Sequence, residues 1–309
     1  MRVDFHVHST ASDGTCSSAE LIEKAKAQGI SVLALTDHDN CDGVVEFQSC
    51  ASLTSGQESA STLAVAGIEL SIEAGRGFDK FHLLGLGIDS EDVGLKAFLK
   101  RILDGRNTRN ERIIANFRRL GMEMTDPSVS STKQSNNTDS RTIYSYSHGE
   151  VLARPHFARW LMDHKYVTSV AEAFEKYLLP DSPRETRCYE ERWHPAQEDA
   201  FRAIHAAGGL CVMAHPKYWR TDWKTSGCDF AAAERELAAL RERGLDGVEA
   251  LYQANTGEEN VEFTRIATKL GYLKSAGSDF HGANKPHIPL GMDVADEFIA
   301  PLLERLGRC

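Results

Sequence analysis

His6, His8, Asp13, His38, Glu69, His82, His215, Asp279 and His281 all fall at or just past the C-terminal end of an apolar, strand-like run. In Val3-Asp4-Phe5-His6-Val7-His8 the apolar residues alternate with Asp4, His6 and His8, so a period of two puts both imidazoles on one face of a strand. Asp13 follows in Ser9-Thr10-Ala11-Ser12-Asp13-Gly14, a turn of small residues in which the backbone can fold back towards the strand end. The same arrangement recurs where Val32-Leu33-Ala34-Leu35 leads into Thr36-Asp37-His38-Asp39 and where Leu63 to Ile68 leads into Glu69. It recurs again at His82 in Phe81-His82-Leu83-Leu84-Gly85, at His215 after Leu210 to Ala214, and at Ser278-Asp279-Phe280-His281-Gly282 after Tyr272 to Ala276. A single histidine is more often a hydrogen-bonded imidazole than a ligand, but this set is jointly improbable as packing. Imidazole and carboxylate without thiolate suit Zn, Mn or Fe in an open, catalytic arrangement better than a closed structural zinc site. Nine ligands exceed the needs of one ion and predict two or three divalent ions, with at least one carboxylate bridging.

Asp4-Phe5-His6-Val7-His8-Ser9, Thr36-Asp37-His38-Asp39, Ala214-His215-Pro216 and Ser278-Asp279-Phe280-His281-Gly282 resemble the motifs of the PHP (polymerase and histidinol phosphatase) family of metal-dependent phosphoesterases. The resemblance runs from end to end, and all nine liganding positions of the trinuclear members hold the expected residue type. It implies a distorted (β/α)7 barrel with a small helical insertion. It also implies a division of ligands: His6, His8, Glu69 and Asp279 for one ion, Glu69, His82 and His215 for a second, and Asp13, His38 and His281 for a third.

Phosphate ester hydrolysis needs neutralised phosphoryl charge, an in-line nucleophile and a stabilised leaving oxygen, and clustered divalent ions supply all three. Three ions against the carboxylates of Asp13, Glu69 and Asp279 leave a charge of about +3 for an incoming phosphate. The expected nucleophile is a hydroxide bridging two ions, its pKa lowered to about 7. Arg154-Pro155-His156 resembles a stretch in the insertion of nucleotide-acting PHP phosphoesterases whose side chains face the substrate. That likeness implies Arg154 as a bidentate phosphate fork and His156 as a phosphate donor or general acid. Local pairing and a helix start are the alternative roles for these two residues. Arg106, Arg109, Arg184, Arg187 and Arg192 are weaker candidates for a second phosphate site, and Trp193 for a nucleobase contact. Asp37 and Asp39 are read either as acceptors behind the ligands or as turn residues. His148, His164, His194, His205 and His287 lack strand-end context and receive no role.

The expected substrate is small and phosphorylated, a nucleotide or short oligonucleotide. The specific reading is removal of the 3′-phosphate from nucleoside 3′,5′-bisphosphates or 5′-to-3′ trimming of short RNA. Histidinol-phosphate phosphatase is the rival within the same family. A non-catalytic metal-binding module and a metal-dependent amide hydrolase are the rivals from other classes.

These residues must be carried by seven strand-like runs, at about 3 to 7, 32 to 36, 63 to 70, 81 to 87, 210 to 214, 247 to 252 and 272 to 277, most of them separated by helical patterns. Strands followed by helices indicate parallel βα units, whose active sites lie at the strands' C-terminal ends. Ser17-Ser18-Ala19-Glu20 has the form of a capping box, and Gly29, Gly208, Gly244 and Gly271 stand where helices should stop. The rhythm breaks before Leu210, and residues 97 to 192 are read as a helical insertion, with 1–96 and 193–309 as the barrel. Within the insertion, 125 to 147 is rich in Ser, Thr and Asn and is expected to be a loop.

With 309 residues and 41% hydrophobic content the chain can bury a large core. No stretch approaches the ~18–20 apolar residues of a membrane span. Its seven cysteines form no CxxC pair, and Met1-Arg2 leads directly into the first strand, so the expectation is a cytoplasmic protein with reduced thiols. The net charge of −10 argues against a general nucleic-acid-coating surface. The balance is uneven: residues 100 to 192 hold 16 Lys and Arg against 13 Asp and Glu, and the remainder 19 against 32. Nothing in the chain sets an oligomeric state.

Overall fold

The computed structural model describes residues 1–53, 62–73, 81–124, 143, 152–220 and 222–307. The chain divides into two compact units, one formed by 1–100 with 194–309 and the other by 101–193.

The first unit is built on eight strands: β1 (Arg2–Val7), β2 (Val32–Leu35), β3 (Leu63–Ile72), β4 (Phe81–Leu86), β5 (Leu210–Met213), β6 (Gly247–Tyr252), β7 (Leu273–Gly277) and the two-residue β8 (Met292–Asp293). Their order is β7-β6-β5-β4-β3-β2-β1-β8. Backbone bonds from His8 N–H to the Phe280 carbonyl and from Asp279 N–H to the His6 carbonyl tie the end of β7 back to β1, nearly closing a barrel. The fold is thus the expected α/β barrel, with two departures from an all-parallel reading. The strand β4 runs antiparallel to both β3 and β5. Its connection from β3 is too short for a helical crossover, which a parallel neighbour would need. The second departure is β8, which pairs antiparallel with β1.

Alternation along β1 separates two duties. Val3 and Phe5 join Val32, Ala34, Leu84, Val212 and Ala276 in the apolar core, while Asp4 and His6 are equally buried on the opposite face. Helices pack around the strands: α1 (Ser18–Ala27), α2 (Val44–Leu53), α6 (Gln197–Ala206), α8 (Phe230–Glu242), α9 (Gly257–Leu270) and α10 (Asp296–Leu306), with the single turn α7 (Trp223–Ser226) between α6 and α8 in the chain. Gly29, Gly208, Gly244 and Gly271 all have positive φ just beyond α1, α6, α8 and α9, the left-handed geometry that ends a helix.

The second unit has its own core. The helix α3 (Val93–Arg119) runs into it from residue 101, followed by α4 (Arg154–Asp163), the single turn α5 (Val170–Ala173) and a π-helical turn over Phe174–Leu178. Ile113, Phe117, Phe157, Trp160, Leu161 and Leu178 fill its interior. The loop expected over 125 to 147 lies, apart from Ile143, outside the described residues. Trp193 is half exposed, with the Arg101 guanidinium 5.3 Å from its ring centroid.

The Ser17 hydroxyl accepts from Glu20 N–H while the Glu20 carboxylate accepts from Ser17 N–H, so both orphan donors at the start of α1 are satisfied. Ser17→Ala should cost about 0.5–2 kcal/mol of stability, read as a lower urea midpoint at unchanged slope.

Candidate metal centre

All nine candidate ligands lie in the first unit, and five of the imidazoles converge on Glu69. Its Oε1 stands 2.9 Å from His82 Nδ1, 3.1 Å from His215 Nε2 and 3.3 Å from His6 Nε2. Its Oε2 stands 2.9 Å from His38 Nδ1 and 3.3 Å from His8 Nε2. Asp279 Oδ1 lies 3.3 Å from both His8 Nε2 and His281 Nδ1, and Asp13 Oδ1 lies 3.2 Å from His281 Nε2. Three overlapping groups bring their ligand atoms within 4.8 Å of one another: His8, Asp13, His38 and His281; His6, His8 and Asp279; His6, Glu69 and His215. His82 joins through Glu69.

Burial and charge make this cluster costly as it stands. Burial alone would raise the Glu69 carboxyl, yet the imidazoles of His38, His6 and His82 and a hydrogen bond from His215 hold it well below the usual carboxylate range. Asp13 and Asp279 are likewise held low against burial, chiefly by His281, with His38 helping at Asp13 and His6 at Asp279. Among the imidazoles, Asp279 and Glu69 overcome burial to raise His8 to about 9, whereas burial keeps His82 down at about 4 despite Glu69. Protons therefore do not satisfy the set evenly. His6 Nε2, both ring nitrogens of His8, His38 Nδ1, His215 Nδ1, Asp13 Oδ1 and Glu69 Oε2 are buried without a hydrogen-bond partner. Native interiors rarely leave such atoms unpaired, and a cluster of orphaned N and O donors fits divalent cations.

The backbone around the site is held in unusual shapes. Among the described residues, three of the four non-glycine residues with positive φ are Asp39 (55°), His215 (26°) and Asp279 (59°). Strain of this kind persists where surrounding bonds over-determine it. Those bonds are present: His215 N–H donates to Glu249 Oε2 at 2.6 Å, and Asp279 N–H to the His6 carbonyl at 2.9 Å. The pairings of β1 with β2 and of β6 with β7 each shift register beside the site, between Asp4 and Val7 and between Glu249 and Leu251.

Aspartates behind the ligands brace the loops. Asp4 accepts from the Ser278 hydroxyl at 2.5 Å and from Gly291 N–H at 2.8 Å, which joins β1 to the turn carrying Asp279. Asp37 accepts from Ser9 N–H and from the Ser9 and Ser12 hydroxyls, so it fixes the turn that carries Asp13. Asp39 accepts from Ser71 N–H at 2.9 Å. Neither Asp37 nor Asp39 has a ligand imidazole among these partners.

Residues 4–102 match the PHP domain family. Over 99% of its length the chain is 31% identical to the 3′,5′-nucleoside bisphosphate phosphatase of Chromobacterium violaceum, covering 95% of that protein. The chain belongs to the PHP family. It is a metal-dependent hydrolase of phosphoric esters. A 5′-3′ exoribonuclease from Haemophilus influenzae is 29% identical, the match covering 91% of this chain and 90% of that protein. A solved structure from Chromobacterium violaceum, described as an amidohydrolase with bound sulfate and no metal, is similar with a TM-score of 0.78 and 28% identity, covering 100% of this chain and 96% of that one.

Several residues of this PHP centre went unnoticed in the sequence. Glu249 is fully buried in β6, and His6 Nδ1 donates to its Oε1 at 3.0 Å, leaving Nε2 to face the cluster. A carboxylate inside an apolar strand is the signal that could have found it, because glutamate is almost never fully buried unless paired. The Tyr252 hydroxyl and Lys285 Nζ donate to Asp279 Oδ2 at 3.0 and 2.6 Å, leaving Oδ1 towards the imidazoles. Both residues, with Tyr218 and His287, line a cavity of about 570 Å³ whose wall includes His38, Glu69, His82, His215 and Asp279.

Arg154 and His156 belong to the second unit. Arg154 opens α4, donates to the Leu178 carbonyl at 3.3 Å and lies over the rings of Tyr189 and Phe174. His156 is buried, and its Nδ1 accepts from Ala153 N–H at 2.9 Å. Among the described residues, no helix is long and apolar enough to cross a membrane.

Glu249 also explains Gly277, where a Cβ would sit 2.1 Å from Glu249 Oε1 and 2.5 Å from His6 Cβ. Gly277→Ala should cost about 1–3 kcal/mol in chemical denaturation. Bound metal measured after dialysis should fall with it, because His6 and Glu249 cannot both keep their places.

Proposed function

We propose that the chain removes the 3′-phosphate of nucleoside 3′,5′-bisphosphates, and that 5′-to-3′ trimming of short RNA is a second use of the same chemistry. The observation that carries the phosphoesterase reading is the set of orphaned, buried imidazole and carboxylate atoms at the wall of an open cavity. The choice of substrate is supported by the names of the bisphosphate phosphatase and the exoribonuclease that the chain resembles over most of its length.

The nine residues would hold two or three divalent ions, Mn, Zn or Fe, with Glu69 shared between two of them. When bound, such ions neutralise phosphoryl charge and lower the pKa of the attacking water. The chain's own groups do the rest. Glu249 fixes His6 from behind, and Tyr252 and Lys285 hold the outer oxygen of Asp279. The Lys285 ammonium at the cavity wall favours an anionic substrate. Arg154 offers its remaining N–H donors to a phosphate oxygen. Because the Nδ1 of His156 accepts a backbone bond, the proton of its neutral ring resides on Nε2, from which His156 would serve as general acid to a leaving oxygen.

Phosphate release from 3′-phosphoadenosine 5′-phosphate should exceed that from histidinol phosphate, and should vanish with chelator and return with Mn. Turnover of histidinol phosphate alone would overturn the substrate reading. Binding of less than one ion per chain, with no hydrolysis after Mn addition, would leave the non-catalytic module instead. His156→Ala should lower kcat by about 10²–10⁴ on an alkyl phosphate and far less on 4-nitrophenyl phosphate, whose leaving oxygen needs no proton.

A further inference from the structure

Glu249 gives one carboxylate oxygen to each of two candidate ligands. His6 Nδ1 donates to Oε1 at 3.0 Å, and the His215 backbone N–H donates to Oε2 at 2.6 Å. The residue is fully buried in β6, beside β5, whose end leads into His215. Space for Oε1 exists only because Gly277 has no side chain, since a Cβ there would lie 2.1 Å from it.

On their other side the same two residues share a second carboxylate. His6 Nε2 and His215 Nε2 lie 3.3 and 3.1 Å from a single oxygen, Glu69 Oε1. Their rings stack with centroids 5.5 Å apart and planes 23° apart. Glu69 thus joins the ligand faces of His6 and His215, and Glu249 joins them from behind.

Both partners reach Glu249 as donors, which a group with two acceptor oxygens can satisfy. The bond to His6 leaves the Nε2 lone pair free for an ion. The bond to His215 holds a non-glycine backbone at φ 26° and ψ 66°, a shape that needs outside support. Because the carboxylate is buried and hemmed in, a shift of either partner draws it away from the other.

We propose that Glu249 is a positioning residue that couples ion binding at His6 to ion binding at His215, so that the two ions enter as a pair. The inference rests on the reading above, in which Glu69 is shared between two ions. An ion seated on one imidazole fixes Glu249, and Glu249 then holds the other ligand already oriented, in either order of loading.

The whole chain, stripped of metal, is titrated with Mn(II) as wild type, Glu249→Gln and Tyr272→Phe, with free ion, isolated bound ion and spin-coupled pairs read by electron paramagnetic resonance. The glutamine amide keeps the shape of the glutamate but has one acceptor and one donor, so it serves one partner only. In wild type the spin-coupled signal should grow with uptake at this pair of sites from the first additions. In Glu249→Gln an isolated signal should come before it, and the weaker ion should bind about 10–100-fold less tightly, the loss typical of removing a partner behind a ligand. An ion held by Asp13, His38 and His281 adds the same isolated signal to all three proteins. Tyr272→Phe removes a buried bond to the Leu237 carbonyl at the start of β7, the end away from Asp279, and should load like wild type.

Zn(II) supplies a check that needs no variant: the NMR signals of the wild-type His6 Nδ1–H and His215 amide should change with one shared midpoint. Equal order and affinity of loading in wild type and Glu249→Gln would overturn the proposal, as would separate midpoints or a matching change in Tyr272→Phe. Should Glu249→Gln fail to fold, the wild-type midpoints decide alone. A wild type that takes up fewer than two ions removes the shared-Glu69 reading together with the coupling, whereas two ions that enter independently remove the coupling alone. Hydrolysis enters none of these measurements.

Discussion

A carboxylate with 1% of its side chain exposed must find polar partners, and Glu69 finds them in five imidazoles. His6, His8, His38, His82 and His215 reach it from β1, the residue just past β1, the segment after β2, β4 and the segment after β5. Neither β1 nor β4 could slide by one residue without turning His6 or His82 to the opposite face. The barrel is therefore registered around one buried charge. That charge also explains why the cluster is unsettled on protons alone: neighbouring imidazoles are pushed in opposite directions, His8 up and His82 down. Removing water from so many ionisable groups is costly, and divalent cations, each able to take several imidazole and carboxylate ligands at once, answer that cost in the same volume.

The scaffold behind the ligands carries much of the specificity of their placement. Glu249, Asp4 and Asp37 touch ligands or the loops that bear them, and each is fully or almost fully buried. They convert β-strand ends and turns, which would otherwise be among the more mobile parts of a barrel, into fixed mounts. The positive φ values at His215 and Asp279 are held against strain by this frame, through Glu249 in one case and the β1 backbone in the other.

Much of the barrel was legible because its signals are local. Seven apolar runs became β1 to β7, the capping box formed at Ser17, and glycines stopped four helices at the positions their sequence context suggested. The antiparallel course of β4 was less legible, since an apolar run has no direction and only the short connection from β3 hinted at a hairpin. The start of the second unit carries no compositional linker, because the 27-residue helix α3 runs through it without interruption. Glu249 escaped notice because its partner His6 lies 243 residues away.

By itself, the sequence determined the chemistry on offer: imidazoles and carboxylates without thiolates, set at strand ends by a period of two that depends only on backbone pleating. Tertiary structure decided which of those side chains meet, which oxygen of Asp279 faces the imidazoles, and which carboxylate stands behind His6. The difference is physical. Which face a side chain takes is a property of a few consecutive residues, whereas convergence depends on strand order, closure and register, and these are settled only when distant segments pack together.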